Sequence, residues 1–149
     1  MLKGKKVLVT GAGGFIGSHL VEELFSCNAE VRAFVKYNGR SDWGMLADIP
    51  QQSRKNIEVI MGDIRDAFFV RKAVKGCDYV FHLAALIGIP YSYVAPSDYV
   101  AVNVQGTVDV LEACRAENTE RLLHTSTSET YGTAQYVPID EKHPLGRSK

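Results

Sequence analysis

Apolar runs and helical repeats alternate along this chain. Residues 5–10 are apolar beyond their two lysines, in the manner of a strand covered on both faces. Residues 14–27 then carry Phe15, Ile16, Leu20, Val21, Leu24 and Phe25 at helical spacing. Further strands are predicted at 30–36, 56–61, 77–84 and 121–126. Between them the pattern predicts a short helix over 43–48 capped by Ser41 or Asp42, and a helix over 67–75 with Asp66 as N-cap. A loop over 86–96 leads into a long helix from 97 to about 118. Its apolar face is drawn from Tyr99, Val102, Val108, Leu111 and Cys114, with Asn103 and Gly106 interrupting it. A mid-helix Asn needs buried partners, and a glycine there suggests close approach to a sheet.

Strands alternating with helices imply a parallel sheet with right-handed crossovers. The expected fold class is α/β, a Rossmann-like doubly wound sheet of order 3-2-1-4-5. Residues 1–132 make the domain, and 133–149 form a polar, proline-bearing tail.

The first strand breaks abruptly into Gly11, Ala12, Gly13 and Gly14, with Gly17 three residues on. A strand, a glycine turn and a helix in that order form the phosphate-gripping corner of a dinucleotide fold. Gly11 allows the tight turn, Gly14 the approach of a pyrophosphate, and Gly17 the packing of the helix on the sheet. Free amides and the positive end of the helix dipole would face the phosphates.

Composition narrows the partners. The 149 residues are 46% hydrophobic and 23% charged, with 17 basic and 17 acidic side chains, so nothing points to nucleic acid or a membrane surface. No apolar run approaches the roughly 18 residues of a membrane span, and Met1 leads straight into the first strand, so the expectation is a cytoplasmic protein without a signal peptide. Cys27, Cys77 and Cys114 fit neither a metal site nor a disulfide framework and are expected to be reduced, buried and structural. No metal is expected.

Strand ends hold the remaining candidates. An acid after the second strand would read the ribose hydroxyls of NAD, but Val35 stands there, followed by Lys36, Asn38, Arg40 and Ser41, with no acid before Asp42. Lys36 and Arg40 lean the expectation toward the 2′-phosphate of NADP, or else they are solvated loop charges. Asp63 after the third strand is either an acceptor for the adenine amino group or a turn aspartate. Ala84 and Ala85 after the fourth are small enough for a ribose or flat ring to lie against the backbone. His82 reads as a hydrogen-bonded core histidine and His19 as a packing or surface residue. The fifth strand runs into a polar cluster at 127–132, where a sheet of this type has its crevice.

The segments TGAGGFIGSHL, GDIRD, HLAAL, NVQGT (103–107) and HTSTSETYG (124–132) together resemble the extended short-chain dehydrogenase/reductase family, in order from residue 5 to about 145. Its members are largely nucleotide-sugar epimerases, 4,6-dehydratases and decarboxylases. IPYSYVAPSDY and AQYVPI are most similar to bacterial dehydratases acting on nucleotide-linked N-acetylglucosamine. The resemblance implies an NAD(P) cofactor held by Gly11, Gly14, Phe15, Ile16 and Gly17 at the pyrophosphate and by Asp63 and Ile64 at the adenine. Leu83, Ala84 and Ala85 would line the ribose side, and Asn103 would clamp helix to backbone. Thr127 would bond the sugar 4-hydroxyl, with Ser128 helping to orient hydroxyls. Glu129 matches a carboxylate that dehydratases and decarboxylases carry and galactose-type epimerases generally lack. It would take the C5 proton of a 4-keto sugar as water leaves C6. From spacing alone Glu129 is equally a solvated loop carboxylate.

The family's oxidising step uses a Tyr four residues before a Lys. Here Leu145 stands four before Lys149, and Tyr91, Tyr93, Tyr99, Tyr131 and Tyr136 have no lysine at that spacing. The tail is therefore expected to lead toward a missing Tyr/Lys helix and substrate domain, and this chain by itself is expected not to turn over. The fifth strand would be left as an apolar sheet edge. Relatives usually pair through the long helices, so the full-length protein is expected to be a homodimer. The alternatives are an epimerase or decarboxylase of the same family, or a dinucleotide-binding module without catalysis.

Overall fold

A computed structural model describes residues 2–50 and 56–146. Its strands are β1 (Lys6–Thr10), β2 (Glu30–Lys36), β3 (Glu58–Gly62), β4 (Tyr79–His82) and β5 (Arg121–His124). All pair in parallel, in the order 3-2-1-4-5 that the alternating pattern predicts. Helix α1 (Phe15–Ser26) and a 3₁₀ turn (Gly44–Asp48) belong to the first half. The second half holds α2 (Ala67–Val74), α3 (Ile89–Val94), α4 (Pro96–Tyr99), a π-helical stretch (Val100–Gln105) and α5 (Gly106–Ala116). Among the described residues, no helix is long and apolar enough to cross a membrane.

β1 is apolar throughout because it feeds two cores. Successive strand side chains point to opposite faces. Val7 and Val9 pack with Val21 and Leu24 of α1, whereas Leu8 joins Val70 and Val74 of α2, Val80 of β4 and Val110 of α5. Helix ends are secured by side chains. Asp66 caps α2, accepting from the amides of Phe68 and Phe69 at 3.1 Å each. At its other end the Arg32 guanidinium donates to the carbonyls of Ala73 (2.6 Å) and Lys75 (3.0 Å), acceptors that a helix C-terminus leaves open.

Several boundaries differ from the sequence expectation, for local reasons. β4 ends at His82 and β5 at His124, because Leu83–Ala85 and Thr125–Ser126 leave the ladder to line a cavity. The 86–96 loop contains α3, with Pro90 in its first turn. The long helix carries two apolar stripes. The one facing the sheet is Val102, Gly106, Val110, Ala113 and Cys114, with Gly106 so close to Ile64 that an added Cβ would lie 3.1 Å from its methyl. Val108 and Leu111, expected in the buried face, are exposed with Val100 and Val104 on the other stripe. Hydrophobicity cannot tell one stripe from the other, but the close approach at Gly106 does. Cys77 and Cys114 are buried, but Cys27, expected to be buried, is exposed at the end of α1. β5 forms one edge of the sheet, with Leu123 exposed. Beyond it, a 3₁₀ turn (Ser128–Tyr131) is followed by irregular chain around the buried His143. The Ser148-Lys149 end, used above to place the expected Lys, lies outside the described residues.

Leu8 is fully buried at the centre of the sheet. Leu8→Ala is expected to lower the unfolding free energy by about 2–5 kcal/mol, through lost transfer energy plus the cavity left behind. Urea or guanidinium titration measures this, and a loss below about 1 kcal/mol would mean that the site collapses freely or is not a core position.

Candidate dinucleotide site

At the carboxyl end of β1 the chain must turn sharply. Gly11 does so at φ +71°, and an added Cβ there would lie 2.9 Å from the Ala84 nitrogen. This position needs glycine both for its backbone and for the proximity of β4. Gly17 in turn sits against the Gly11 carbonyl, seating α1 on the corner. Gly14 is the N-cap of α1, in extended conformation, and no side chain caps the helix. The first-turn amides, which a helix cannot satisfy internally, are thus left for another acceptor. Gly14, Phe15, Ile16 and Gly17 all line one cavity of about 760 Å³.

All five strands reach that cavity through their carboxyl ends. Thr10 comes from β1, Phe34 to Lys36 from β2, Gly62 and Ile64 from β3, Leu83 to Ala85 from β4, and Thr125 and Ser126 follow β5. From β1 the chain winds outward through β2 and β3, then returns to the other side of β1 with β4. This is the switch point where open parallel sheets take ligands. Its volume falls in the range usual for cofactor sites.

One wall is a loop folded back on the glycine corner. The Asn38 side chain accepts from the amides of Arg40 and Asp42 and donates to the Asp42 carbonyl at 2.7 Å. Asp42 accepts from the Gly44 amide at 2.8 Å, and the Met45 amide donates to the Gly13 carbonyl at 3.0 Å. Lys36, Asn38 and Asp42 consequently enter the cavity wall, and Arg40 does not.

The opposite wall rests on buried polar groups. Thr10 Oγ1 accepts from the amides of Leu83 (3.2 Å) and Ala84 (3.1 Å), so its own proton goes to His82 Nδ1 at 2.8 Å. Thr107 Oγ1 donates to the Asn103 carbonyl and lies 3.1 Å from His82 Nε2, so that nitrogen carries the ring proton. The network thereby assigns a neutral Nε2–H tautomer. Burial pushes the His82 pKa down to about 4, and the neighbouring His124 ring adds to the shift. Asn103 holds both backbone groups of Leu86 at 2.8 Å.

Of the sequence candidates, the structure gathers Gly11, Gly14, Phe15, Ile16, Gly17, Lys36, Ile64, Leu83, Ala84 and Ala85 around the cavity. Asp63 stands outside its wall. Both carboxylate oxygens are held by Arg65, whose hydrogen bonds keep the carboxyl below its usual range. Thr127, Ser128 and Glu129 lie just past the wall residue Ser126, where Thr127 accepts from the Glu129 amide at 3.3 Å. Sequence reasoning missed Asn38, Asp42, Thr125 and Ser126 as wall residues. The Asn-x-x-x-Asp spacing of the loop was the available signal. No group of three His, Cys, Asp or Glu among the described residues is placed to hold a metal ion.

The family model for GDP-mannose 4,6 dehydratase matches residues 8–148. Bovine UDP-glucose 4-epimerase is 33% identical over 149 residues, covering 95% of this chain and 43% of that protein. This chain belongs to the extended short-chain dehydrogenase/reductase family, the NAD-dependent epimerases and dehydratases. Among solved relatives, the UDP-N-acetylglucosamine 4-epimerase of Methanobrevibacter ruminantium M1, in complex with UDP-N-acetylmuramic acid, superposes with a TM-score of 0.80 at 32% identity. It covers 97% of this chain and 45% of that one. UDP-glucose-4-epimerase from Stenotrophomonas maltophila, with bound NAD and formylated UDP-arabinopyranose, gives 0.82 at 27% identity, covering 95% and 43%. The chain thus spans under half the length of these relatives, and it shares its fold with the part of the solved ones that it covers.

The His82 network gives a pH signature. With the folded pKa near 4 and the ordinary histidine value at 6.5, the unfolded chain binds more protons between these limits. Stability contributed by the neutral ring is complete above about pH 6.5 and is lost as pH falls toward 4, by up to roughly 3 kcal/mol. Chemical denaturation across this interval is expected to show the slope, and His82→Gln to flatten it. An unchanged slope in the variant would assign it to other groups.

Proposed function

We propose that this chain is the cofactor-binding portion of a nucleotide-sugar 4,6-dehydratase. The observation that carries the reading is the uncapped start of α1 opening on a cavity that all five strands reach. The cradle suits a dinucleotide, since Gly11 leaves no space for a Cβ beside Ala84 and the first-turn amides have no side-chain acceptor. Gly11, Gly14 and Gly17 hold the pyrophosphate, Phe15 and Ile16 flank it, and Ile64 borders the adenine. Leu83, Ala84 and Ala85 border the ribose and ring. When bound, the nicotinamide supplies hydride acceptance from sugar C4 and later return of that hydride.

NAD fits the wall better than NADP. Asp42 brings a carboxylate into the cavity beside Asn38, which disfavours a 2′-phosphate, whereas Arg40 stays outside. Lys36 alone retains the cationic character that argues for NADP. NAD bound to the Stenotrophomonas maltophila relative supports the same choice.

Glu129 selects dehydration within the family. As a carboxylate two residues past Thr127, it can remove the C5 proton acidified by a 4-keto group, and Thr127 and Ser128 orient the hydroxyls. Match to the GDP-mannose 4,6 dehydratase model supports this. The epimerase names of the relatives favour a second reading, inversion at C4. Both begin with the same oxidation. The substrate is a nucleotide-linked hexose, with N-acetylglucosamine suggested by the IPYSYVAPSDY and AQYVPI segments. The complete protein pairs with a second copy, a reading the exposed stripe of Val100, Val104, Val108 and Leu111 supports.

Calorimetric titration of the chain is expected to give NAD binding at least about tenfold tighter than NADP, with Asp42→Ser narrowing the gap. No sugar turnover is expected from the chain alone, which has no Tyr-x-x-x-Lys. In the complete enzyme, Glu129→Gln is expected to lower formation of the 4-keto-6-deoxy sugar by ~10²–10⁴-fold while leaving NAD binding unchanged. Inversion at C4 without loss of water would select the epimerase instead.

A further inference from the structure

Two buried side chains, Thr10 and His82, and two half-buried ones, Asn103 and Thr107, link β1, β4 and the long helix, and of the four only Thr10 lines the cavity. Starting at the cavity wall, the amides of Leu83 and Ala84 donate to Thr10, Thr10 donates to His82, His82 to Thr107, and Thr107 to the Asn103 carbonyl. Asn103 then grips Leu86 at both its backbone groups. The His82 carbonyl also accepts from the Thr125 amide at 3.1 Å, at the entrance to the fifth strand's contribution. Leu83, Ala84 and Thr125 all line the cavity, whereas Thr107 and His82 do not.

The direction of donation is fixed at both ends. Two amides converge on Thr10, and the Asn103 carbonyl can only accept. Every hydrogen between them therefore has one place to go, and the ring can hold just one proton, on Nε2. The π-helical stretch ends at Gln105, so Asn103 lies within it and Thr107 lies in the first turn of α5. A locally widened helix of this sort commonly accompanies functional sites. Here it presents Asn103 toward Leu86 and Thr107 toward His82 from one side of the helix.

We propose that Thr107, acting through the His82 ring, is a positioning residue for cofactor binding: it fixes the ring's tautomer, which orients the Thr10 hydroxyl and so sets the backbone at Leu83 and Ala84. The inference rests on the dinucleotide reading of the cavity. A low folded pKa for His82 agrees with a ring that stays neutral. Removing the acceptor at Thr107 frees the ring to take its other tautomer, in which Nδ1–H and the Thr10 hydroxyl hydrogen compete for the same space. Thr10 then turns, and two amides at the cavity wall lose a common acceptor.

Thr107→Val keeps the shape of the side chain and removes the hydroxyl, and Thr107→Ser restores the hydroxyl. Histidine ring nitrogen resonances report the tautomer, and calorimetry with NAD on the 149-residue chain reports binding. The expected results are an Nε2–H signature for His82 in the parent chain and a mixed signature with about tenfold weaker NAD binding in Thr107→Val. Recovery of both is expected in Thr107→Ser. An Nδ1–H signature in the parent chain overturns the proposal, and this measurement needs no variant to fold. So does a Thr107→Val chain that loses the signature yet binds NAD within about twofold of the parent. A parent chain with the Nε2–H signature that binds neither NAD nor NADP overturns the dinucleotide reading itself, and the proposal with it.

Discussion

The closeness of β1 and β4 at their carboxyl ends is the constraint on which the cleft depends. Gly11 lies where a Cβ would meet the Ala84 backbone, and the Leu83 amide is bonded to the Thr10 carbonyl as well as to its hydroxyl. With a larger residue at either place the strands would part, and the glycine turn would no longer face the β4 exit. The glycine turn and the Leu83–Ala85 wall are therefore one rigid unit, made by two neighbouring strands rather than by two independent loops. A site built on strand ends in this way holds its geometry without help from the ligand.

That rigidity has a thermodynamic cost which the core absorbs. Thr10 and His82 are buried in the middle of the sheet, where an unsatisfied polar group costs about 1–3 kcal/mol. Their hydrogen bonds run without a gap from strand to helix, so none is orphaned. A fully connected buried network stiffens what it joins, while a broken one is worse than plain hydrocarbon. An apolar residue at 82 would fill the space at less risk to folding, but it would leave Thr10 free to rotate beneath the cavity wall. Retaining a histidine makes sense if the orientation of Thr10 matters.

Much of the fold was legible because β1 is covered on both faces and reads as an apolar run at Val7–Val9, with β2 and β4 carrying apolar residues on either side of it. The glycine corner was legible because steric need at Gly11 leaves few other residues possible. Strand ends were overrun by two residues at Ala84 and Ser126, since leaving a ladder to line a cavity does not alter hydropathy. The Asn38–Asp42 wall was hidden for a different reason. It depends on a loop folding back to bond the Gly13 carbonyl, a long-range contact that no local window contains. Arg40, chosen for its charge, is not in the wall, and its amide is bound by Asn38, which sets the turn. Charge type located the loop, and backbone geometry decided which of its residues matter.

Glu129 illustrates how the division of labour between the two ends of the chain works. The cavity is lined from the ends of all five strands, with the glycine turn and the open amides of α1 at its centre. Proton removal from C5 needs a carboxylate whose distance to one carbon is set to within a fraction of an ångström. The turn that carries Glu129 follows β5, an edge strand, and is braced internally by Thr127 accepting from the Glu129 amide and by the Thr130 hydroxyl donating to the Thr127 carbonyl. Such a turn can present a carboxylate toward a cleft from the edge of the sheet. Placement of Glu129 thus depends on the edge of the sheet, whereas the glycine corner is set at its centre by β1 and β4 together.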